Sequence, residues 1–328
     1  MRFRLSQKNI PILSTFLVFI LIYLSGTFAY KGFFSLRVFI NLFIDNAFVG
    51  IIAIGMTFVI ISGGIDLSVG SLVAFTGVLC ANLLSRTSIS PFMVIFICLL
   101  CGAVLGFTMG SMIHFLEMPP FLVTLVGMFL ARGLSFVISL DSVPIRNELF
   151  LTISKASIPL GNGIRLPAYA VTFIVMAMLG AYILHYTRFG RNIYAIGDNE
   201  KSAILMGLPV GRSKILIYTL NSTICAAGGL VYSLYTLAGY PLAGTGLELD
   251  VITAVVIGGT LLTGGVGFME GTVIGVMILG LIQTIITFQG NLSTWWTKVF
   301  IGILLCIFIL LQRYLSLGKI KTGSRVKT

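Results

Sequence analysis

The sequence predicts an all-α integral membrane protein with about ten transmembrane helices, glycine-interrupted spans and both termini in the cytoplasm. Of its 328 residues, 57% are hydrophobic and only 9% are charged, and the mean hydropathy is +1.07. A chain of this composition has too little polar surface to cover a water-soluble globule. No stretch is long and polar enough for a soluble domain, so residues 1–328 are predicted to form a single transmembrane domain.

A helix crosses a bilayer with about 20 apolar residues, and apolar runs of roughly this size recur along the chain. The predicted spans are 10–30, 45–62, 68–85, 91–115, 121–140, 166–186, 215–237, 251–263, 268–288 and 297–311. The first run is longer than the apolar core of a signal peptide, which predicts a retained helix. Residues 33–43 mix Arg37 and Asn41 with apolar side chains and predict a helix lying in the outer interface.

Basic residues cluster before the first span, between the sixth and seventh spans, and after the last span. They are Arg2, Arg4, Lys8, Arg188, Arg191, Lys201, Arg212, Lys214, Arg313, Lys319, Lys321, Arg325 and Lys327. Since Lys and Arg stay on the cytoplasmic side, 188–214 is predicted to be a cytoplasmic loop and 141–165 an extracytoplasmic one. The basic residues form no continuous face, which argues against nucleic acid binding and favours anchoring near lipid headgroups.

The loop at 188–214 contains a short predicted helix at 199–206. Asn199 suits the N-cap position, Glu200 lies in the first turn, and Gly207 ends the helix. The predicted apolar face consists of Ala203, Leu205 and Met206. A short amphipathic helix in a cytoplasmic loop predicts a docking surface for another protein.

Ten residues of this loop carry a resemblance to a known family. They are Gly190, Arg191, Asn192, Tyr194, Ala195, Ile196, Gly197, Asn199, Ala203 and Gly207. This run resembles the cytoplasmic loop of ABC-type sugar-importer permeases of the ribose and galactose class, and segments 55–71 and 239–271 are similar to the same family. The similarity extends over nearly the whole chain. Segments 45–60, 283–288 and 295–298 most resemble a permease subunit of bacterial galactofuranose importers.

In that family the loop seats in a groove of an ATPase subunit, so the resemblance implies an ATPase-coupling role for nine residues. They are Gly190, Arg191, Asn192, Tyr194, Gly197, Asn199, Ala203, Met206 and Gly207. The resemblance also implies that a partner ATPase binds ATP and Mg²⁺, that a second, paralogous permease completes the path, and that a periplasmic sugar-binding protein delivers the sugar. The chain itself would be a non-catalytic subunit without a cofactor, in the bacterial inner membrane, for a monosaccharide such as galactofuranose.

A stand-alone, ion-coupled secondary transporter is the alternative function. That class requires carboxylates inside the membrane along its pathway. This sequence offers few such carboxylates, because every candidate except Asp66 falls at the end of a predicted span. Those at the ends are Asp45, Glu117, Glu248, Asp250 and Glu270.

Six residues are candidates for a pore or gate: Asp66, Ser68, Arg132, Glu248, Asp250 and Thr253. Asp66 follows a glycine pair in a break between spans, where a carboxylate must face protein, water or an interface. It either caps the following helix or holds a pore-lining turn, with Ser68 as a polar partner. Arg132 lies within the fifth predicted span and either faces a wet cavity or snorkels toward the outer loop.

The sequence carries no pattern of an enzyme or a metal site. Glu248 and Asp250 lack the surrounding cleft that a glycosidase acid/base pair requires. Placement at a helix start and docking to a partner are sufficient explanations for them. Neither His114 nor His185 belongs to a clustered set of metal ligands. No P-loop motif occurs, which means that the chain cannot hydrolyse ATP alone. The pair Cys98 and Cys101 lies in an apolar span without a positive charge to stabilise a thiolate, so packing is the expected role.

Two glycine patterns predict close helix contacts. Gly102, Gly106 and Gly110 form a tandem GxxxG, which lets helix backbones approach closely in lipid. Residues 61–70 resemble residues 256–265, both with paired glycines, so an internal duplication with parallel halves is one explanation and low sequence complexity is the other.

Overall fold

The computed structural model describes residues 10–161, 163–290, 293 and 295–323, with side chains from residue 12 to residue 310. Several residues on which the predicted topology rests lie outside the described residues or have side chains outside them. They are Arg2, Arg4, Lys8, Arg313, Lys319, Lys321, Arg325 and Lys327. The described part is dominated by helices, as the sequence predicts.

The helices follow one another along the chain with short strands between some of them. They are α1 (Ile10–Ala29), α2 (Leu36–Asp45), α3 (Ala47–Ile61), α4 (Val69–Arg86), α5 (Pro91–Phe115), α6 (Pro120–Ile138), α7 (Glu148–Lys155), α8 (Ala168–Tyr186), α9 (Arg188–Asp198), α10 (Glu200–Leu205), α11 (Val210–Thr236), α12 (Leu247–Ile257), α13 (Met269–Gln289) and α14 (Trp295–Gly323). The strands are β1 (Val143–Pro144), β2 (Ser157–Gly161), β3 (Ile164–Pro167) and β4 (Ala238–Gly239).

Seven helices of the described part are long and apolar enough to cross a membrane, namely α1, α4, α5, α6, α8, α11 and α13. The pair α2 and α3, bent by 58°, makes an eighth candidate if it is one span. With 11 residues, α12 is too short to cross alone, and the apolar helix at Trp295–Leu310 is also below the length of a full span. Length and composition therefore give seven or eight spans and do not confirm the predicted ten.

The predicted interfacial helix at 33–43 and the predicted span at 45–62 are joined in the structure as the bent pair α2 and α3. Asn46 lies buried at the bend, where its Nδ2 donates to the carbonyl of Leu42 at 2.9 Å. A Cβ atom on Gly280 of α13 would lie 2.3 Å from that Nδ2, so the glycine leaves room for the carboxamide. A polar side chain packed at the break is a sufficient cause of the sharp bend.

The core is built around α3 and α11. Every residue from 50 to 61 in α3 is buried, and α11 packs against α3, α4 and α5. The tandem GxxxG of α5 faces α11. A Cβ atom on Gly102 would lie 2.6 Å from Ala226 Cβ, and a Cβ atom on Gly106 would lie 2.5 Å from the carbonyl oxygen of Tyr218. The predicted role of these glycines in close helix packing is confirmed.

The predicted outer loop at 141–165 is a folded cap. Its β1 pairs with β4 in an antiparallel ladder, and β2 with β3 forms a hairpin that runs into α8. Phe150 of α7 is buried, and Ser154 Oγ donates to the carbonyl of Leu234 in α11 at 2.7 Å. The cap is thus fixed to the end of α11 by backbone pairing, an apolar contact and a hydrogen bond.

Two helix breaks lie side by side in the fold. One follows α3 at residues 62–68, and the other follows α12 at residues 258–268, so the predicted span at 251–263 ends at Ile257. Gly265 donates its N–H to the carbonyl of Ile61 at 2.9 Å. A Cβ atom on Gly264 would lie 2.9 Å from Gly63 Cα, and φ is +83° at Gly63 and +84° at Gly264. The two segments that resemble each other in sequence therefore contact each other through glycines that adopt left-handed backbone conformations.

Replacing Gly106 with valine should destabilise the protein, because the added atoms would overlap the backbone of α11. Overpacking of this kind costs about 1 to 3 kcal/mol. The measurement is the melting temperature of the purified chain in mild detergent. Gly302→Val is the matched control, since nothing lies within 4 Å of a Cβ at that position. Equal melting temperatures for the two variants would contradict the close contact between α5 and α11.

Candidate functional site

The polar segment at 188–214 begins with α9, a helix that the sequence analysis did not predict. Thr187 caps it, because its Oγ1 accepts a hydrogen bond from the N–H of Gly190 at 3.1 Å. Ile193 and Ile196 are buried on one side of the helix. The cap residue and the three-residue spacing of the isoleucines were the signals that could have revealed this helix.

The second helix of the segment, α10, confirms the predicted cap and end. Asn199 Oδ1 accepts from the N–H of Ser202 at 2.9 Å, and Gly207 follows the helix with φ of +74°. The predicted apolar face is wrong, however, since Ala203 is fully buried whereas Leu205 is 87% exposed. Residues two apart point to opposite sides of a helix. Ala203 therefore packs against Ile196 and Val210, while Leu205 faces outward.

The outward side of α10 carries an exposed apolar tip, which consists of Ile204, Leu205 and Met206. Their exposures are 56%, 87% and 66%. Exposed basic residues also occur in this segment, one each on α9, α10 and α11; we call these three residues, Arg191, Lys201 and Arg212, the basic rim. We call the apolar tip and the basic rim together the coupling surface. Behind it, Glu200 of α10 pairs with Lys214 of α11 at 2.6 Å.

The nine residues assigned to ATPase coupling by resemblance divide between two sides of the segment. Those that are exposed are Arg191, Asn199, Met206 and Gly207. Those that are buried or half-buried against the rest of the chain are Gly190, Asn192, Tyr194, Gly197 and Ala203. Gly190 and Ala203 are covered by the chain itself, whereas Asn192, Tyr194 and Gly197 are only partly covered. Ile204 and Leu205, which the assignment missed, are exposed instead.

The inward side of α9 is fixed to the two helix breaks. Tyr194 donates its hydroxyl to the carbonyl of Gly267 at 2.7 Å. Burial, with a smaller contribution from Glu270, raises the pKa of Tyr194 to about 12, so the hydroxyl keeps its proton at neutral pH. One turn later, a Cβ atom on Gly197 would lie 1.8 Å from the carbonyl oxygen of Ile61.

Asp66 organises a second polar feature, the turn between α3 and α4. Its Oδ1 accepts from the N–H and the Oγ of Ser68 at 2.8 and 2.6 Å, and its Oδ2 accepts from Asn221 Nδ2 at 2.8 Å. Ser71 Oγ donates to the carbonyl of Ser68 at 2.7 Å. All four side chains are fully buried. The carboxylate is thus held by donors of this chain, as expected of a residue that fixes the turn before a helix.

This turn packs beside the middle of α3. A Cβ atom on Gly55 would lie 2.3 Å from Asn221 Oδ1, and Gly55 precedes the end of α3 by six residues. At 1.5 Å per residue, Asn221 is therefore about 9 Å from that end of α3. Inside a bilayer, non-helical backbone is stable only when protein or water satisfies its polar groups. Thr124 Oγ1, which donates to the carbonyl of Ile65 at 3.3 Å, contributes to this.

The start of α12 meets the start of α4 nearby. A Cβ atom on Gly70 would lie 2.3 Å from the carbonyl oxygen of Gly244 and 2.7 Å from Glu248 Oε2. The Glu248 carboxylate therefore lies beside the first turn of α4, where the helix dipole favours a negative charge. Arg132 Nη1 donates to the carbonyls of Pro241 and Ala243 at 2.5 and 2.8 Å. The two roles predicted for Arg132 are to face a wet cavity or to snorkel toward the outer loop. The contact that the structure shows is with the loop at 240–246.

The remaining pore or gate candidates have partners elsewhere. Asp250 forms an ion pair with Lys298 of α14. Thr253 is buried and donates to the carbonyl of Leu249 at 2.7 Å. His185 lies 3.3 Å from Glu270, and no group of three or more potential metal ligands occurs in the part of the chain that the structure describes. The six candidates do not form a single site: Asp66 and Ser68 share one turn, Arg132 and Glu248 lie near the loop at 240–246, and Asp250 and Thr253 have separate partners.

The chain matches one sequence family over residues 38–309, described as a branched-chain amino acid transport system permease component. The inner membrane ABC transporter permease protein YjfF of Escherichia coli K12 is 49% identical over 94% of both chains. The fructose import permease protein FruG of Bifidobacterium longum is 38% identical, covering 95% of this chain and 93% of the relative. The ribose import permease protein RbsC of Bacillus subtilis is 37% identical, with coverage of 94% and 93%. No solved structure matches the chain.

Replacing Asp66 with alanine should lower the folded yield and the melting temperature, because three donors from Ser68 and Asn221 lose their acceptor. An unsatisfied buried polar group costs about 1 to 3 kcal/mol. Asp66→Asn alone would set two amide NH₂ groups against each other. The exchange Asp66→Asn with Asn221→Asp restores a donor and an acceptor and should be more stable than either single variant. Normal yield of Asp66→Ala would contradict this role.

Proposed function

The chain belongs to the permease family described as branched-chain amino acid transport system permease component, and on that premise we propose that it is the membrane subunit of an ATP-driven importer of galactofuranose. It is a multi-pass protein of the inner membrane and a non-catalytic transport component. The names of its relatives support a sugar as the cargo, since two of them are fructose and ribose import permeases. Galactofuranose in particular rests on the resemblance of segments 45–60, 283–288 and 295–298.

The observation that carries the proposed coupling to an ATPase is the coupling surface. Its apolar tip lies in a segment that is otherwise polar and rich in Lys and Arg, which distinguishes it from the apolar spans on either side. An exposed apolar group with a charged rim is the usual form of a protein docking site. We infer that the tip enters an apolar groove of the ATPase and that acidic side chains of the partner face the basic rim. The partner binds ATP and Mg²⁺.

We further propose a topology in which the termini and segment 188–214 face the cytoplasm and the cap at 141–165 faces outward. The distribution of Lys and Arg supports it. Ten crossings result if α14 is counted as a ninth span and α12 together with the loop at 240–246 as a tenth. A periplasmic sugar-binding protein would then meet the cap side of the molecule.

The translocation path is proposed to run along the loop at 240–246 and the start of α12. Arg132 and Glu248 are only partly buried there, and charged groups at membrane depth must face protein or water, not lipid. A second, paralogous permease across a water-filled path would supply that environment. Asp66 and Ser68 support the path from behind, while Asp250 and Thr253 belong to the packing of α12.

The alternative, an ion-coupled secondary transporter, is favoured by the buried carboxylate of Asp66. Three donors already occupy that carboxylate, which leaves it poorly suited to exchange an ion during each transport cycle. The two functions differ in their energy source and therefore in their partners. Partner identification separates them directly.

Purification of the tagged chain in mild detergent should recover an ATPase, a second permease and a sugar-binding protein. Reconstituted into vesicles, the complex should import galactofuranose with ATP and in preference to ribose or fructose. Recovery of the chain alone, with uptake that follows an ion gradient, would favour the alternative. Recovery of the complex with a preference for another sugar would contradict the assignment of galactofuranose but not of the importer.

Replacing Leu205 with aspartate should remove the ATPase from the purified complex. Loss of one buried leucine contact is worth about 2 kcal/mol, or roughly 30-fold in affinity, before the added charge is counted. The measurement is the ratio of ATPase to permease after purification. Leu149→Asp, at a leucine of α7 in the cap that is 57% exposed, should keep the normal ratio. An unchanged ratio for Leu205→Asp would contradict docking by the apolar tip.

A further inference from the structure

A dense glycine junction joins the coupling surface to the two helix breaks. It consists of Ile61 at the end of α3, Gly197 in the last turn of α9, and the loop at 258–268 between α12 and α13. Gly265 donates its N–H to the carbonyl of Ile61 at 2.9 Å. A Cβ atom on Gly197 would lie 1.8 Å from the same carbonyl oxygen of Ile61. A Cβ atom on Gly264 would lie 2.9 Å from the carbonyl oxygen of Gly197. Backbone meets backbone at these points.

A contact of this kind transmits movement well. Glycines have no side chain that could change rotamer and absorb a displacement, and closely packed interiors deform little. The Tyr194 hydroxyl, which donates to the carbonyl of Gly267, adds a directional contact one turn earlier on the same face of α9. Two contacts spaced by one turn fix the position and the rotation of α9 relative to the loop at 258–268.

The segment is also connected to α11, where Ala203 packs against Val210 and an ion pair adds a weaker contact. Glu200 and Lys214 link α10 to α11, but Glu200 is 46% exposed in its side chain, and ion pairs in contact with solvent contribute little and are screened by salt. The loop at 258–268 instead leads directly into α12. The other end of α12 lies beside Gly70, where Glu248 meets the first turn of α4.

We propose that Tyr194 and Gly197 are positioning residues that carry movement of the coupling surface through the loop at 258–268 into α12, and that they are not contacts of the ATPase. This inference rests on the proposed function, since it specifies how ATPase movement reaches the translocation path. It assigns the movable element to a half-helix of 11 residues, while the long helices α5 and α11 stay packed together. α12 packs closely on α13, because a Cβ atom on Gly271 would lie 1.9 Å from the carbonyl oxygen of Gly258 and one on Gly275 would lie 2.0 Å from that of Ala254. The two helices would therefore shift together.

The first test uses Tyr194→Phe in the complete importer, because this change removes the hydroxyl and keeps the ring. The ATPase should be recovered in the normal ratio and should hydrolyse ATP at the normal rate, whereas sugar imported per ATP should fall about fivefold, as expected for one lost hydrogen bond in the transmitting contact. Tyr186→Phe is the control, at a tyrosine of α8 that is 74% exposed, and should keep the normal ratio of sugar to ATP.

The second test measures hydrogen exchange in the purified chain without any partner. Tyr194→Phe should accelerate amide exchange several-fold in the loop at 258–268 and leave α10 unchanged. Gly197→Ala should do the same more strongly, because its methyl group would displace Ile61, while Gly133→Ala should have no effect, since nothing lies within 4 Å of a Cβ there. Unchanged exchange at 258–268 would overturn the proposed contact path.

The outcomes separate this inference from the function on which it rests. Failure of the wild-type chain to recover an ATPase would contradict the proposed function. Hydrogen exchange in the loop at 258–268 would still test the contacts of the glycine junction. Loss of the ATPase in Tyr194→Phe would make Tyr194 a docking contact and overturn the inference alone. A parallel fall of hydrolysis and uptake, or an unchanged ratio of sugar to ATP, would also overturn it and leave the importer intact.

Discussion

The fold depends on one constraint: inside a bilayer, every backbone N–H and C=O must find a partner within the protein. Unbroken helices meet it automatically, but this chain breaks its helices after Ile61 and after Ile257. Each break is closed by contacts from distant parts of the chain. Gly265 binds the carbonyl of Ile61, and Thr15 Oγ1 of α1 donates to the carbonyl of Ile257 at 2.6 Å. The breaks are therefore fixed features of the architecture.

The same constraint explains where the polar side chains lie. Asp66 is placed where the backbone of a turn needs an acceptor, and Arg132 where the carbonyls of the loop at 240–246 need a donor. Neither charge is isolated, because each replaces the water that the backbone would otherwise bind. The first role of these charged residues is thus to form hydrogen bonds with backbone groups where a helix is interrupted. The Glu248 carboxylate likewise lies beside the first turn of α4.

The segment at 188–214 has two faces with different chemistry. Outward, α10 presents aliphatic side chains and a basic rim, which suit a protein groove. Inward, α9 presents Gly197 and the Tyr194 hydroxyl to the ends of the broken helices. One face can therefore receive a partner while the other holds the membrane domain, with Ala203 packed between them. This two-sided construction connects the surface of the protein with the short helix α12.

The sequence by itself determined the membrane class, the start and end of the long unbroken helices such as α5, and the cap of α10 by Asn199, because these follow from local composition and local hydrogen bonds. It also indicated the close contact made by Gly102 and Gly106. The tertiary structure alone decided that α2 and α3 are joined at Asn46, that α12 stops at Ile257, and that Gly197 faces inward while Leu205 faces outward. Helix breaks and buried faces depend on partners far away in the sequence, and the local pattern of apolar residues does not record those partners.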